Sequence, residues 1–305
     1  MIDNFIYIVD DFLFFCASLL LLYLFILAIA SHLKHIEYPI IKKQYSCAIL
    51  IPESNTLPSK YKQGTFQFIS YSNLAETIQS LDNQRFELVV ILSKEACELS
   101  PDFLDMISHV YHTDIQAMQL HTVINDRKGF RKRLQAISSE INNSLFRAGN
   151  TQIGLSSNFF GINIVLSVKW IQQNLRTSRT NLERKLLLQN CYIEYLPSVI
   201  VYCDSAPAYP YRKRIGKSLS YLLPSLFDGN WSFCNRIFQL LIPTPILIMI
   251  SLGAWTLFMT SYDWQSSLYW WIILLGFAIT YSLAIPDYMV EKKKKLKYPS
   301  IWKRH

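Results

Sequence analysis

In this chain of 305 residues, few side chains with catalytic or metal-binding potential are spaced as in a known site motif. His109 and His112 lie three apart in a stretch that predicts a helix, so they could share one face and hold a metal ion. No carboxylate accompanies them at ligand spacing, which favours surface or packing roles instead. Arg212, Lys213 and Arg214 form a cation cluster that suits a diphosphate or a lipid headgroup, and the lipid-facing role is favoured. The sequence has no glycine-rich phosphate loop, Ser-His-Asp set or His-Glu-x-x-His motif.

The six cysteines do not suggest a metal or disulfide framework either. No two of them are spaced as Cys-x-x-Cys, the pattern that most often marks zinc or redox sites. We interpret them as small buried hydrophobic side chains. They are Cys16, Cys47, Cys97, Cys191, Cys203 and Cys234.

Hydrophobic residues make up 51% of the chain, and they are concentrated in three runs. These runs cover residues 12–30, 237–260 and 268–285. About 20 apolar residues in a helix cross a hydrocarbon core of roughly 30 Å, so each run predicts a transmembrane helix. A cleaved signal peptide is the alternative for the first run. Lys and Arg are absent before it and no small-residue cleavage site follows it, which favours a retained anchor.

The charges that flank these runs predict an orientation. The residues before the first run are acidic and those after it are basic. The acidic ones are Asp3, Asp10 and Asp11, and the basic ones are Lys34, Lys42 and Lys43. The loop between the second and third runs has no Lys or Arg, whereas the C-terminal tail is rich in lysine. The positive-inside rule therefore places the N-terminus outside, and the middle region and the tail in the cytosol.

The excess of basic over acidic residues also indicates a binding partner for the chain. Lys and Arg number 30 against 22 Asp and Glu, which gives a net charge of +8. The densest run, KKKKLK in the tail, suits anionic lipid headgroups. Topogenic and lipid-facing charge accounts for the excess, so the lipid bilayer is the expected partner and nucleic acid is not.

Strand-like and helix-like segments alternate between the first and second apolar runs. The strand-like segments are residues 47–51, 66–70, 86–92, 117–123, 159–165 and 192–201. The helix-like segments are residues 73–83, 101–111, 130–148, 168–175 and 182–190. This alternation predicts an α/β domain with a largely parallel sheet. The sequence FELVVIL at 86–92 is apolar almost throughout and predicts the central strand.

A different pattern precedes the second apolar run. Residues 217–236 mix apolar and aromatic side chains with Lys and Ser, and Pro224 interrupts them. We interpret this stretch as short amphipathic helices in the membrane interface. An ordinary surface helix with a core-facing side is the alternative.

Several of these stretches resemble bacterial membrane-bound family 2 glycosyltransferases. Residues 48–52 (AILIP) resemble the opening strand of the family's GT-A domain, and residues 86–92 with 100–104 resemble the strand and helix that flank its metal motif. Residues 136–157 resemble the segment leading to the acceptor pocket, and residues 191–202 the strand after the catalytic-base helix. The resemblance implies a cytosolic α/β GT-A-like domain of the nucleotide-diphospho-sugar transferase type, with three transmembrane helices in a bacterial inner membrane.

The resemblance and the apolar runs together divide the chain into five parts. The parts are an anchor at residues 1–33, the GT-A-like domain at 44–210, interfacial helices at 211–236, two transmembrane helices at 237–286 and a basic cytosolic tail at 287–305. The interval from residue 51 to residue 93 is short for the family. It is expected to lack the first helix and the second strand, which truncates the domain on its nucleobase-binding side.

The metal motif of the family is altered in this chain. The resemblance implies an Asp-x-Asp pair after the central strand, whose carboxylates hold the divalent cation that neutralises the diphosphate leaving group. Here the matching residues are Ser93, Lys94 and Glu95. A lysine ammonium repels a metal ion, so Glu95 alone remains as a candidate ligand.

The other two family motifs are altered as well. The Glu-Asp pair that supplies the catalytic base falls on Arg179 and Thr180, which leaves Glu183 as a possible substitute base three residues later. The leaving-group motif Gln-x-x-Arg-Trp falls on residues 211–215, where Arg214 is retained and Tyr211 replaces the Gln.

Two further polar positions in the family-like region allow two interpretations. Glu140, with Asn142 and Asn143, fits either helix-surface contacts, which are favoured, or a remnant of the acceptor-site lining. His121 lies in a predicted strand, where a satisfied core histidine is expected.

Joint loss of metal ligands, base and leaving-group clamp favours a catalytically degenerate family member. We expect a partner subunit in cell-envelope polysaccharide synthesis, working with an active glycosyltransferase or an export partner and needing no cofactor. The alternative is an active inverting enzyme that uses a nucleotide sugar, relocated carboxylates and Mg²⁺ or Mn²⁺.

Overall fold

The computed structural model describes residues 2–34, 37–53, 66–159, 162–175, 181–205, 207 and 219–290. Within them, seven strands form one mixed sheet with the order β2-β1-β3-β6-β5-β7-β4. The strands are β1 (Cys47–Pro52), β2 (Phe66–Tyr71), β3 (Leu88–Ile91), β4 (Ala96–Leu99), β5 (Ala117–Ile124), β6 (Ile164–Ser167) and β7 (Ile193–Cys203). Strand β1 pairs in parallel with β2 and β3, and β5 with β7, whereas β6 and β4 run antiparallel to their neighbours. The carboxyl ends of β1, β3, β5 and β7 therefore lie along one edge.

The helices are α1 (Ile2–Ala30), α2 (Leu74–Ser80), α3 (Phe103–Tyr111), α4 (Phe130–Asn143), α5 (Asn150–Gln152), α6 (Val168–Asn174), α7 (Leu182–Leu188), α8 (Leu222–Phe227), α9 (Trp231–Leu241), α10 (Pro245–Tyr262), α11 (Trp264–Leu283) and α12 (Asp287–Val290). A π-helical segment, Ser144–Gly149, joins α4 to α5. Between β1 and β3 the described residues contain β2 and α2.

Side chains that alternate between the two faces of the sheet form two apolar cores, one on each face. In β1, Ala48 and Leu50 face one apolar cluster, while Cys47, Ile49 and Ile51 face the other. Successive side chains of a strand point to opposite faces, so a central strand with both faces covered must be apolar throughout. This is why the run at 86–92 predicts its strand correctly.

The second apolar run is divided between two helices. Residues from 237 onward complete α9, and the candidate membrane helix begins only at Pro245. Pro243 disfavours helical geometry at the residue before it, and Pro245 occupies the first turn of α10, where its missing N–H costs nothing. The two prolines thus separate α9 from a candidate membrane helix.

Three helices of the described chain are long and apolar enough to cross a membrane, at Phe5–Ala30, Pro245–Tyr262 and Trp264–Leu283. An apolar cluster joins them to the α/β domain. It contains Leu24 and Leu27 of α1, Ile141 of α4, Leu145 of the π-helical segment and Phe277 of α11. The segment after β5 is therefore packed directly against the candidate membrane helices.

The π-helical segment makes an unusually close approach to α1. A methyl group added at Gly149 would lie 2.5 Å from the carbonyl oxygen of Leu27 and 3.2 Å from its carbonyl carbon. Real Cβ atoms do not approach backbone atoms so closely, so only glycine allows this contact.

A carboxylate joins the candidate membrane helices at their other end. Asp10 of α1 is buried, and its Oδ1 accepts hydrogen bonds from the indole N–H of Trp255 (2.9 Å) and of Trp270 (2.8 Å). One oxygen atom thereby links α1 to both α10 and α11.

Replacing Asp10 with alanine is expected to destabilise this bundle by about 1–3 kcal/mol, because both indole donors lose their shared acceptor. Thermal unfolding of the detergent-solubilised protein measures the effect. Asp11→Ala is the matched control, since Asp11 is the next carboxylate along the helix and is exposed. Equal unfolding temperatures for the two variants would show that the indole contacts contribute nothing.

Candidate functional site

Ser93, Lys94 and Glu95, which the sequence aligns with the metal motif of the family, follow the central strand β3 at its carboxyl end. Ser93 is buried; its backbone N–H donates to Asn163 Oδ1 (2.9 Å), and its hydroxyl lies 3.6 Å from the sulfur of Cys203. Asn163 adopts a positive φ of 52° and donates from Nδ2 to the Thr122 hydroxyl (2.9 Å). Hydrogen bonds within the domain therefore hold Ser93 in the interior.

The charged groups of the next two residues, Lys94 and Glu95, lie close to each other. The Lys94 side chain is 66% exposed, and its Nζ lies 4.0 Å from Oε1 of Glu95, whose side chain is only 11% exposed. The one carboxylate of the motif therefore has an ammonium group as its near neighbour.

The donors at this edge do not fit a divalent cation. Hard cations need several carboxylate or carbonyl oxygens, but nowhere in the described chain do three His, Cys, Asp or Glu side chains gather closely enough to hold a metal. Asp126, after β5, is bonded to the Lys132 ammonium, which lowers its pKa. Burial raises the pKa of the Cys97 and Cys203 thiols to about 11, so they stay protonated and ligate poorly.

Glu183, the possible substitute base, is fully engaged in a clamp. Its Oε1 accepts from the Phe159 backbone N–H (2.9 Å) and lies 2.7 Å from Nε of Arg236, while its Oε2 accepts from Arg236 Nη2 (3.0 Å). Both side chains are nearly buried, at 13% and 12% exposed. Arg236 therefore holds the carboxylate with one charge-assisted hydrogen bond to Oε2 and a close ionic contact of Nε with Oε1. The pair ties α7 to α9.

Removing one partner of this clamp is expected to destabilise the protein by about 3 kcal/mol, because the other charge is left nearly buried and unpaired. Glu183→Ala and Arg236→Ala should each lower the unfolding temperature, and the double variant should lose less than their sum. Glu98→Ala, at an exposed carboxylate, is the control. Strict additivity in this cycle would contradict a coupled pair.

The other predicted site residues belong to segments that the structure does not describe. Arg179, Thr180, Tyr211 and Arg214 lie outside the described residues, as do the neighbouring cations of the 212–214 cluster. Their assignments stay predictions from the sequence.

One of the two neighbouring histidines, His112, contacts another part of the domain. It occupies the C-cap of α3, and its Nδ1 lies 2.9 Å from the hydroxyl of Tyr45. For His112, this agrees with the favoured surface or packing role.

A buried polar cluster lies beside the candidate membrane helices. His121 Nε2 is 3.3 Å from Glu140 Oε2, and Asn143 donates to the same carboxylate oxygen (3.3 Å) while accepting from Arg147 Nη1 (2.5 Å). Burial opposes the ionisation of Glu140, but His121, together with Tyr288 of α12 and Asn143, lowers the pKa of this carboxyl group.

The cluster corrects one sequence interpretation. Glu140 and Asn143 are buried, so the favoured assignment to helix-surface contacts is wrong; the acceptor-lining alternative stays a prediction. The available signal was the polar spacing of 140, 143 and 147, which places three polar side chains on one face of a helix. His121, expected as a satisfied core histidine, has its Nε2 atom 3.3 Å from Glu140 Oε2 and its ring stacked on that of Tyr195.

A second polar group connects α1, α5 and α9. The Tyr23 hydroxyl donates to Asn235 Oδ1 (2.7 Å) and accepts from Gln239 Nε2 (2.9 Å). Asn235 and Gln239 also donate to Asn150 Oδ1, each at 3.2 Å. These hydrogen bonds fix helix α9 to both α1 and the α/β domain.

Comparison with known proteins agrees with this architecture. The family described as "Glycosyl transferase family group 2" matches residues 88–283, more than half of the chain. No curated protein matches. Among solved structures, the mannosyltransferase PcManGT from Pyrobaculum calidifontis, solved with GDP-Man and Mn²⁺, is 12% identical; the match covers 90% of this chain and 97% of that one, with a TM-score of 0.40.

The expected α/β GT-A-like domain with three candidate membrane helices is confirmed. The sheet is mixed rather than largely parallel at its β6 and β4 positions. The chain belongs to glycosyl transferase family group 2.

Proposed function

We propose that this chain is a glycosyltransferase-like membrane subunit that has lost sugar-transfer chemistry and supports an active partner in cell-envelope polysaccharide synthesis or export. The observation that carries the proposal is the Ser93-Lys94-Glu95 sequence at the carboxyl end of β3. Metal-dependent transfer requires carboxylates there to hold the cation and, through it, the diphosphate leaving group.

The electrostatic difference at this position is large. At 4 Å, two unit charges interact by about 1 kcal/mol in water and about 4 kcal/mol near a protein surface. A carboxylate at this distance attracts both positive charges of a divalent cation. The Lys94 ammonium repels the cation by a comparable energy instead. Ser93 is buried and bonded to Asn163, so it does not compensate.

The state of Glu183 supports the same proposal. A general base must keep a lone pair within reach of the acceptor hydroxyl. Both oxygens of Glu183 are occupied by Arg236 and the Phe159 backbone. This arrangement serves the packing of α7 on α9 better than it serves proton transfer.

The proposed setting is the bacterial plasma membrane, with the N-terminus outside and the α/β domain and tail in the cytosol. Three helices with the length and composition of spans support a membrane location, and the cations after the first span support this orientation. The sheet and helix α9 would present a partner with a surface shaped like that of an active family member.

A second candidate is an active inverting glycosyltransferase with a relocated carboxylate. Glu95 favours it, because this carboxylate is mostly buried and follows the central strand directly. Mg²⁺ or Mn²⁺ would then be required, with Glu95 as one ligand.

Calorimetry and nucleotide release distinguish the two candidates. The full chain in detergent is titrated with UDP- and GDP-sugars, with and without Mg²⁺ or Mn²⁺, and released nucleoside diphosphate is measured. We expect no metal-dependent binding and no release, and we expect the tagged chain to co-purify with a family 2 enzyme or an export component. Release that Glu95→Ala abolishes and the exposed control Glu98→Ala preserves would overturn the proposal.

A further inference from the structure

The first turn of α4 exposes a large apolar side chain among cations. Phe130 is 80% exposed, and Lys128, Arg131 and Arg133 are exposed around it. Lys132 is also largely exposed but is paired with Asp126. We call Lys128, Phe130, Arg131, Lys132 and Arg133 the α4 tip.

Contacts at both of its ends place the α4 tip close to the candidate membrane helices. On one side, the Arg127 guanidinium lies over the ring of Tyr288 (5.5 Å), and Tyr288 follows shortly after the end of α11 at Leu283. On the other side, Ile137 and Ile141 pack in the apolar cluster that contains α1 and α11 residues. At about 1.5 Å per residue, Phe130 lies only about 10 Å along the helix from Ile137.

The composition of the α4 tip selects one kind of partner. An exposed phenylalanine surrounded by arginine and lysine suits the headgroup boundary of an anionic bilayer, where the ring enters the acyl edge and the cations remain among phosphates. Among the described residues, Lys132 is the member of the tip with a salt bridge to a protein carboxylate. The cations that flank Phe130 are thus directed to solvent.

We propose that the α4 tip docks onto anionic lipid headgroups with Phe130 inserted at their inner boundary. The docking holds the α/β domain against the bilayer in addition to its covalent anchors. It is separate from the interfacial role of α8 and α9 and does not depend on whether the protein transfers sugar.

A photo-crosslinker tests this contact in the full chain. Benzoylphenylalanine at position 130 is irradiated in nanodiscs of phosphatidylcholine alone or with 30% phosphatidylglycerol, and adducts are identified by mass spectrometry. We expect lipid adducts that are about tenfold more abundant with phosphatidylglycerol, since each cation near an anionic surface contributes a severalfold factor. The matched control carries the crosslinker at Gln67, an exposed position on the far edge strand β2, and should give few lipid adducts.

A charge-neutral variant and a label-free measurement complete the design. Lys128→Gln combined with Arg131→Gln and Arg133→Gln should remove the preference for phosphatidylglycerol. In the unmodified protein, hydrogen exchange of residues 127–135 should slow severalfold in the anionic discs. Equal lipid adducts in both disc types, adducts to protein only, or unchanged hydrogen exchange would each overturn the proposal.

Discussion

Gly149→Ala is expected to lower the unfolding temperature of the detergent-solubilised protein by about 5 °C. The added methyl group would lie 2.5 Å from the Leu27 carbonyl oxygen, and backbone atoms cannot move aside as a side chain can. Overpacking of this kind costs about 3 kcal/mol, and each kcal/mol shifts the midpoint by about 1.5 °C in a chain of 305 residues. Differential scanning fluorimetry measures the shift.

Gly253→Ala provides the matched control. Gly253 lies inside α10, and a methyl group there meets nothing within 4 Å. Because alanine suits a helix interior better than glycine, this variant should be neutral or slightly stabilised. Limited proteolysis adds a second measurement, since loosening α1 from the π-helical segment should expose the connection at residues 31–44 to cleavage. Identical melting and cleavage of the two variants would refute the steric argument.

Glu140→Gln is expected to destabilise the protein by about 3–5 kcal/mol at neutral pH. Burial by itself opposes ionisation of Glu140, but His121, Tyr288 and Asn143 outweigh burial and lower the pKa of this carboxyl group. The substitution removes the charge and leaves the groups around it without their anionic partner in a buried site. Glu98→Gln, at an exposed carboxylate, should change stability by less than about 0.5 kcal/mol.

The same carboxylate gives the stability of the protein a pH dependence. The folded-state pKa is lower than the ordinary 4.5, so the contribution of Glu140 is complete above that value. It is lost as pH falls from about 4.5 through the lower folded pKa. Unfolding free energies measured between pH 7 and pH 3 should therefore converge for the wild-type protein and Glu140→Gln at the acid end. Parallel curves would show that the carboxylate is not ionised in the folded protein.

Local patterns predicted the elements that have strong periodicity or length. The apolar run around Leu88 identified the central strand because both faces of that strand are covered. Strand β4 was missed, since four residues that include Glu98 and Cys97 carry no strand pattern and depend on pairing with β7. The helix expected over 130–148 changes to π-helical geometry at Ser144, where it meets α1.

The sequence predicts where residues 93–95 lie relative to the sheet, but it does not predict the tertiary contacts of the other candidate residues. The order of strand and loop placed Ser93, Lys94 and Glu95 at the carboxyl edge of the sheet. The partners of Glu183 and Glu140, however, are Arg236 and Tyr288, which are 53 and 148 positions away in the chain. No local pattern connects residues that far apart, so their engagement becomes visible only after the helices pack.

The Asp10 carboxylate also affects how the protein is made. Its two donors, Trp255 and Trp270, follow it by 245 and 260 residues. At about 5–20 residues per second, a ribosome needs roughly 12–50 s to reach them. In the membrane setting proposed above, the first helix passes through that interval with Asp10 unpartnered, and the position of Asp10 near the start of the helix keeps it within reach of water. The first helix to be made is then the last to gain its Asp10 contacts, and its final position depends on the arrival of α10 and α11.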